Sequence, residues 1–300
     1  MRAAYSRCRR RWYTRPRFHE TTLITGAPLA LIKGAGDLAT GVALSLHRAG
    51  FAVLMTELAQ PIAIRLSVSF GQAVYQGSHT VEGVRAELTD AQGCLAVVNR
   101  GSVAVLVDPR AEILTRIFPI AVVDAIMAKR NTATNRKAGV VVVGLGPGFL
   151  AGADVDAAIE TERGHDLGRI IREGSARQDS GVPGELGGRG IERVLRAPTD
   201  GTVENQRAIG DLVRKGELLT RVGQTAVLSP FDGCLRGLIH DGLSVRRGMK
   251  IGDIDPRGEA RYAAIVSDKA RALGRAVLEA VLLIGREREL LHLLAGPRTL

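Results

Sequence analysis

The stretch Leu31-Ile32-Lys33-Gly34-Ala35-Gly36-Asp37-Leu38-Ala39-Thr40-Gly41 decides how the first half of this chain is read. It joins an apolar strand over residues 30–33 to an amphipathic helix over about 37–48, and Gly50 stops that helix before a second apolar strand over 51–57. Strand, glycine turn, helix and strand make a βαβ unit whose turn reads G-x-G-x-x-A. Glycine at positions 34 and 36 permits a tight turn and lets backbone approach a pyrophosphate, while the small Ala39 lets the helix pack on the strand. The exposed amides and positive end of the helix then receive the anion. Glu57 closes the second strand 21 residues after Gly36, where an acid that holds a ribose is expected. A tight turn with no ligand is the other reading of these letters. Asp37 at the mouth would repel phosphate unless it caps the helix or meets a metal.

Strand-like runs continue at 65–70, 72–75, 84–88, 97–98, 103–107 and 120–124, the last followed by a short helix to Ala128. Residues 138–144 are largely β-branched, as strands covered on both faces tend to be. The expectation is an α/β fold with a Rossmann-like nucleotide-binding domain over 28–175. A second glycine loop, Gly144, Gly146 and Gly148 around Pro147, follows the last strand, where ligands gather in open α/β sheets; a rigid turn explains it equally well. Arg163, His165 and Arg169 suggest an anion pocket, or else a solvated helix end. Lys129-Arg130-Asn131 reads as a phosphate clamp or an exposed basic turn. Asp108 is a strand-terminal acid or a turn residue before Pro109.

Residues 176–192 are glycine-rich and read as a linker or lid. From 193 to 260 two copies of one pattern follow about 32 residues apart: Pro198-Thr199-Asp200-Gly201 with Gly210 to Gly216, then Pro230-Phe231-Asp232-Gly233 with Gly242 to Gly248. The repeat resembles the half-motif of barrel-sandwich hybrid (biotinyl/lipoyl-like) domains, which predicts a small all-β second domain. The link between copies, residues 222–227, has no lysine, which argues against a swinging-arm cofactor. Over 261–300 the chain ends in a predicted helix with Ala270, Leu273, Val277, Val281 and Ile284 near helical spacing, then a tail.

Among 300 residues, 45% are apolar and 24% charged, an ordinary globular balance with room for about two domains. The net charge of +10 is concentrated in the tail over residues 1–27, where seven arginines face Glu20 alone. That tail lacks the apolar run of a secretory signal and is expected to be disordered; a nucleic-acid arm is the less favoured reading. No apolar run reaches the roughly 18 to 20 residues that cross a bilayer, so no membrane role is expected. Cys8, Cys94 and Cys234 are odd in number and widely spaced, which excludes a zinc or redox C-x-x-C and fits a reducing cytoplasm. There is no G-x-S-x-G elbow, H-E-x-x-H or Walker lysine loop, so no metal site or hydrolase is expected.

Seven segments together carry a resemblance: Leu31 to Ala43, Met55-Thr56-Glu57, Ala128 to Asn131, Gly144 to Phe149, Glu160 to Arg169, Val182-Pro183-Gly184-Glu185 and Gly248 to Arg257. Over 28–284 the chain resembles the YqeB-like family, the selenium-dependent molybdenum hydroxylase system proteins. The resemblance implies a cytoplasmic accessory protein of molybdenum hydroxylase maturation, with the hydroxylase and its other maturation factors as partners. It carries over no catalytic residue. The leading expectation is that a nucleotide, or the molybdopterin nucleotide, binds through Gly34, Gly36, Asp37 and Glu57, with Gly144, Gly146, Gly148, Arg163 and His165 as further contacts. The alternatives are an NAD(P)-dependent oxidoreductase and a non-enzymatic adaptor that docks a hydroxylase through its β domain.

Overall fold

A computed structural model describes residues 26–178, 181 and 184–290. The basic tail up to residue 25, the Val182-Pro183 pair and the last ten residues lie outside the described residues. The chain runs β1 (Leu29–Lys33), α1 (Asp37–Arg48), β2 (Ala52–Glu57), α2 (Gln72–Gln76), β3 (Ser78–Val81), β4 (Val84–Thr89), α3 (Cys94–Asn99), β5 (Val103–Val107), β6 (Ala121–Asp124), β7 (Val141–Leu145), β8 (Ala157–Ile159) and β9 (Ile170–Ile171). There follow β10 (Val194–Arg196), β11 (Gly201–Asn205), β12 (Leu212–Val213), β13 (Leu218–Val222), β14 (Thr225–Leu228), β15 (Gly233–Leu238), β16 (Ser244–Val245), β17 (Lys250–Asp255), α4 (Arg261–Ala264) and α5 (Asp268–Glu287).

The first nine strands form one sheet in the order β3-β4-β5-β2-β1-β6-β7-β8-β9. Strands β4 to β8 run parallel, while β3 and β9 add antiparallel margins. Because side chains alternate along a strand, Ala30, Ile32, Val53, Met55, Val123 and Val143 face one layer, and Leu29, Leu31, Leu54, Leu106 and Val122 the other. The first layer is covered by α1 and α5, the second by α3 and the short 3-10 turn Glu112–Thr115. Helix α5 begins at Ser267, whose hydroxyl accepts the Ala270 amide at 3.1 Å, an N-cap of the usual type. It lies against α1 where Gly41 and Gly274 meet, with no room for a side chain on either.

This overturns the expectation of a Rossmann-like domain followed by a biotinyl/lipoyl-like barrel-sandwich domain. The β6–β7 and β7–β8 connections carry no helix, the sheet has antiparallel edges, and the helix covering that flank arrives from the far end of the chain. The later strands form two four-stranded antiparallel sheets, β10-β17-β15-β12 and β14-β13-β11-β16, rather than a closed lipoyl-type barrel. The fold is mixed α/β, with one large mostly parallel sheet, two smaller antiparallel sheets and a long C-terminal helix. Residues 65–70, 72–75 and 97–98 are not strands but a 3-10 turn, α2 and part of α3; four-residue apolar runs cannot distinguish the two periods. The segment to Ala128 is loop, not helix, and 154–161 holds the short strand β8.

The two repeat copies are tied to each other. Asp200 accepts the Arg247 amide at 2.6 Å, and the equivalent Asp232 accepts the Lys215 amide at 2.7 Å. In the same way β11 pairs with β16, and β12 with β15, so each copy completes the other's sheet. The β lobe is seated on the large sheet by the Leu238 amide donating to Ile64 O at 2.7 Å and by Tyr75 stacked on His240 at 3.6 Å.

At the other edge, buried Asp156 accepts bonds from the Val142 amide (2.8 Å), Arg136 Nε (2.7 Å) and Arg288 (2.9 Å). Burial pushes its carboxyl up, but the bonds from Arg288, Val142 and Arg136 outweigh this and hold it below the usual aspartate range. An unfolded aspartate titrates near about 4, so this stabilisation is complete above that pH and is lost as pH falls through the lower native value. Thermal melts of the wild type are therefore expected to drop between about pH 5 and pH 3. Asp156→Asn should flatten part of that slope, and an unchanged slope would contradict the assignment.

Candidate functional site

The connections leave β1 and β6 toward opposite sides of the sheet, so a crevice opens at their carboxyl ends, the position where open α/β sheets bind ligands. Beneath it a polar plug is buried: Lys33 and Asp124 pair at 3.0 Å, and the Thr134 hydroxyl receives Lys33 Nζ at 2.6 Å and donates to Asp124 at 2.5 Å. Thr134 comes from the long β6–β7 loop, and long structureless loops in compact domains are commonly functional. Met127, Lys129 and Ala133 of that loop all have left-handed backbone, with φ of 61°, 60° and 68°. Such conformations cost non-glycine residues roughly 1 to 2 kcal/mol each and persist where the surroundings impose them.

Above the plug, the β lobe closes the crevice into a cleft of about 680 Å³. Nine cations line it, Arg65, Lys129, Arg163, Arg177, Arg193, Arg196, Arg236, Lys250 and Lys269, against three acids, Asp37, Glu162 and Asp253. Acids just beyond the lining meet part of this charge, Asp268 on Arg163, Asp166 on Arg177 and Asp255 on Arg236, and the remainder gives the concavity a positive field. Two of these arginines converge on Asp253, 1% exposed, which takes Arg193 on one oxygen and Arg236 on the other, the latter through Nε at 2.7 Å. Arg65 is also buried, with one nitrogen donating to Tyr262 O (3.0 Å) and Ile265 O (3.1 Å) and another 3.7 Å from Asp37. Desolvation lowers the Arg65 pKa, with Asp37 opposing. Lys250 keeps solvent contact, yet the surrounding protein desolvates its ammonium and lowers its pKa; Asp253 opposes this, and Arg193 adds to it.

The expected site residues separate into two groups. Asp37 and Arg163 line the cleft, and Gly34 and Gly36 form the turn that leads to Asp37. Gly34 has φ +92°, and a side chain there would meet Ala125 O at 3.2 Å, so glycine is needed for the approach of β1 to the β6–β7 loop. Gly36 is extended, and the nearest atom to a side chain there would be Ala63 Cβ at 3.8 Å. Glu57 does not line the cleft. One oxygen accepts the Ala35 amide and the other the Leu58 amide, both at 2.7 Å, so it braces the glycine turn instead of facing a ribose. Burial raises the Glu57 pKa against those two bonds.

Gly144, Gly146 and Gly148 serve packing. A Cβ at Gly144 would strike the Phe149 ring at 2.4 Å, one at Gly146 would meet Thr161 at 2.9 Å, and one at Gly148 the Arg130 backbone at 2.6 Å. Their loop presents Pro147 to the cleft. Arg163 makes a two-pronged pair with Asp268 at 2.7 and 2.9 Å, which raises its own pKa and drives that of Asp268 far down. His165 is exposed and outside the cleft lining. Lys129 lines the cleft, whereas Asp108 caps the following turn through the Glu112 and Ile113 amides.

Sequence reasoning missed Arg65, Arg193, Arg196, Arg236 and Lys250. These are isolated basic residues that the fold gathers from distant segments. One signal was present: Asp253 and Asp255 alternate with Gly252 and Ile254 in a strand, and acids buried in a strand require cations nearby.

Compared with known proteins, the chain matches no family model. Among solved structures it is similar to an aspartoacylase family protein from Mesorhizobium loti, at 11% identity and a TM-score of 0.26 over 76% of this chain and 85% of that one. It is also similar to the ectoine utilization protein EutE (DoeB) from Ruegeria pomeroyi, at 12% identity and a TM-score of 0.27 over the same shares. Similarity this low carries no argument about activity. Among the described residues no helix is long and apolar enough to cross a membrane. The chain is 47% identical over 261 residues to the uncharacterized protein YqeB of Escherichia coli, a match spanning 87% of this chain and 48% of YqeB. That likeness supports a place in the YqeB-like family for this chain, which spans about half the length of the curated relative it matches.

Proposed function

We propose that this chain binds a phosphate-bearing ligand of nucleotide size in the cleft between the large sheet and the β lobe. The observation that carries the reading is the nine cations against three acids in a concavity of about 680 Å³ at the β1/β6 crevice. That volume lies within the range of small-molecule and cofactor sites. The role implied by the family resemblance is accessory: holding the nucleotide form of molybdenum cofactor during maturation of a molybdenum hydroxylase. The NAD(P) alternative is not favoured by the site, because both Glu57 oxygens already accept backbone amides.

Calorimetry with ADP, NAD, NADP and the molybdopterin nucleotide, with adenosine as the uncharged control, tests the reading. Saturable binding of at least one phosphate-bearing ligand is expected, weakening as salt rises. Arg196→Glu, which reverses one exposed charge at the rim, should lower that affinity roughly 10- to 100-fold. If none of the phosphate-bearing ligands binds, the proposal fails. Mass spectrometry of the protein as purified would reveal which ligand it carries.

A further inference from the structure

The glycine turn is not itself a vacant phosphate seat. Its Gly34 amide donates to Thr56 O at 2.8 Å and its Ala35 amide to Glu57, so the first two donors of the turn are engaged within the protein. The next donors belong to the N-terminus of α1, a 12-residue helix with no side-chain cap. Arg65 stands at this end, as its 3.7 Å approach to Asp37, the first helical residue, shows. Arg65 is only 7% exposed and borders the cleft, yet its Nε has no hydrogen-bond partner. A buried donor left unpaired is costly, and in native structures it commonly signals a missing ligand or water. The remainder of this guanidinium is fixed by Tyr262 O and Ile265 O, so it is preorganised.

The β lobe faces the same spot. Arg236, Lys250 and Asp253 line the same cleft as Arg65 and Asp37, and Leu238, on the strand that carries Arg236, donates its amide to Ile64 O, next to Arg65, at 2.7 Å. Asp253 is already shared between Arg193 and Arg236. Lys250 has no acid within ion-pair distance among the described residues, so its charge is available to a ligand.

We propose that the N-terminus of α1, Arg65, Arg236 and Lys250 form one phosphate subsite gripped by both lobes, in which Lys250 and the unpartnered Arg65 Nε select a dianionic terminal phosphate. This assignment rests on the ligand-binding reading above and places the phosphate off the glycine turn. The β lobe is thereby part of the binding site rather than an appendage. Asp37 and Asp253 at its margin offset part of the field, and in the positive potential that remains a dianion gains roughly twice what a monoanion does.

The test is calorimetry with ADP and adenosine on the full chain, with phosphorus NMR of bound ADP. Lys250→Gln changes a solvent-contacting side chain and should fold normally; Arg65→Lys keeps the charge but removes Nε, and melts of both report folding. The expected result is a roughly 10- to 100-fold loss of ADP affinity in Lys250→Gln, a similar loss in Arg65→Lys, and no change for adenosine. The terminal-phosphate resonance should shift on binding to wild type and less so in Lys250→Gln. If wild type binds ADP and Lys250→Gln binds it equally well with the same shift, the subsite is overturned while nucleotide binding stands. If wild type binds none of the phosphate-bearing ligands, the functional reading itself falls, and this assignment with it.

Discussion

Gly274→Val is expected to leave little folded protein. A Cβ at Gly274 would lie 2.2 Å from Gly41 O and 2.4 Å from Ser45 Oγ, and one at Gly41 would lie 2.4 Å from Ala270 O. The first obstacle is backbone, which cannot rotate aside as a side chain end can. The helices must therefore separate, and separation uncovers Ala270, Leu273, Val277, Val281 and Ile284, all 0% exposed and packed on the large sheet. Overpacking typically costs 1 to 3 kcal/mol, and a rigid backbone clash backed by a helix-wide contact should reach about 3 kcal/mol or more. Against the usual net stability of about 5 to 15 kcal/mol, that is a large fraction.

Denaturant unfolding measures the effect, and Gly274→Ala provides the sign. On an exposed helix position, glycine to alanine would stabilise by about 1 kcal/mol. Here it should destabilise, since even one methyl group collides. A Gly274→Ala protein more stable than wild type would show that α1 and α5 do not meet as described.

The second large effect is expected at Asp253, and its two consequences have opposite signs. Asp253→Ala leaves Arg193 and Arg236 without the buried carboxylate that both contact, and their side chains are 10% and 13% exposed. Breaking a buried pair by removing one partner costs about 3 to 5 kcal/mol, because a desolvated charge is stranded. Stability should therefore fall by about that amount in urea unfolding. The same substitution removes one of three acids from a cleft of nine cations, so ADP should bind more tightly at low salt. A merely structural acid would lower both quantities. Stability and affinity falling together would sink the electrostatic description of the cleft.

Much of the local structure was legible in the residues. The run from Leu31 to Glu57 forms β1, α1 and β2 because an apolar run, a glycine turn and a helical period leave few other choices. The spaced apolar residues from Ala270 to Ile284 mark α5, and the Pro-x-Asp-Gly repeats mark the turns that Asp200 and Asp232 bind across the two copies. Short segments were less readable. Gln72-Ala73-Val74-Tyr75 and Val97-Val98 carry strand-forming residues but lie in helices, since α2 and α3 pack against β5 and the neighbouring strands and tertiary burial overrides a propensity of a few tenths of a kcal/mol. At the site, the glycine turn was visible, but its engagement by Glu57 was not, because spacing gives the distance between an acid and a loop without saying which donor the acid meets.

By itself, the sequence determined the βαβ start, the final helix and the doubled turn pattern, all of which depend on neighbours within one or two dozen residues. Tertiary structure alone decided that α5 covers the flank left bare by the β6–β7 and β7–β8 connections, and that Arg65, Arg236 and Lys250 share one cleft. The physical reason is range: periodicity and turn chemistry act along the chain, whereas a field of charges arises only where packing brings separate segments together.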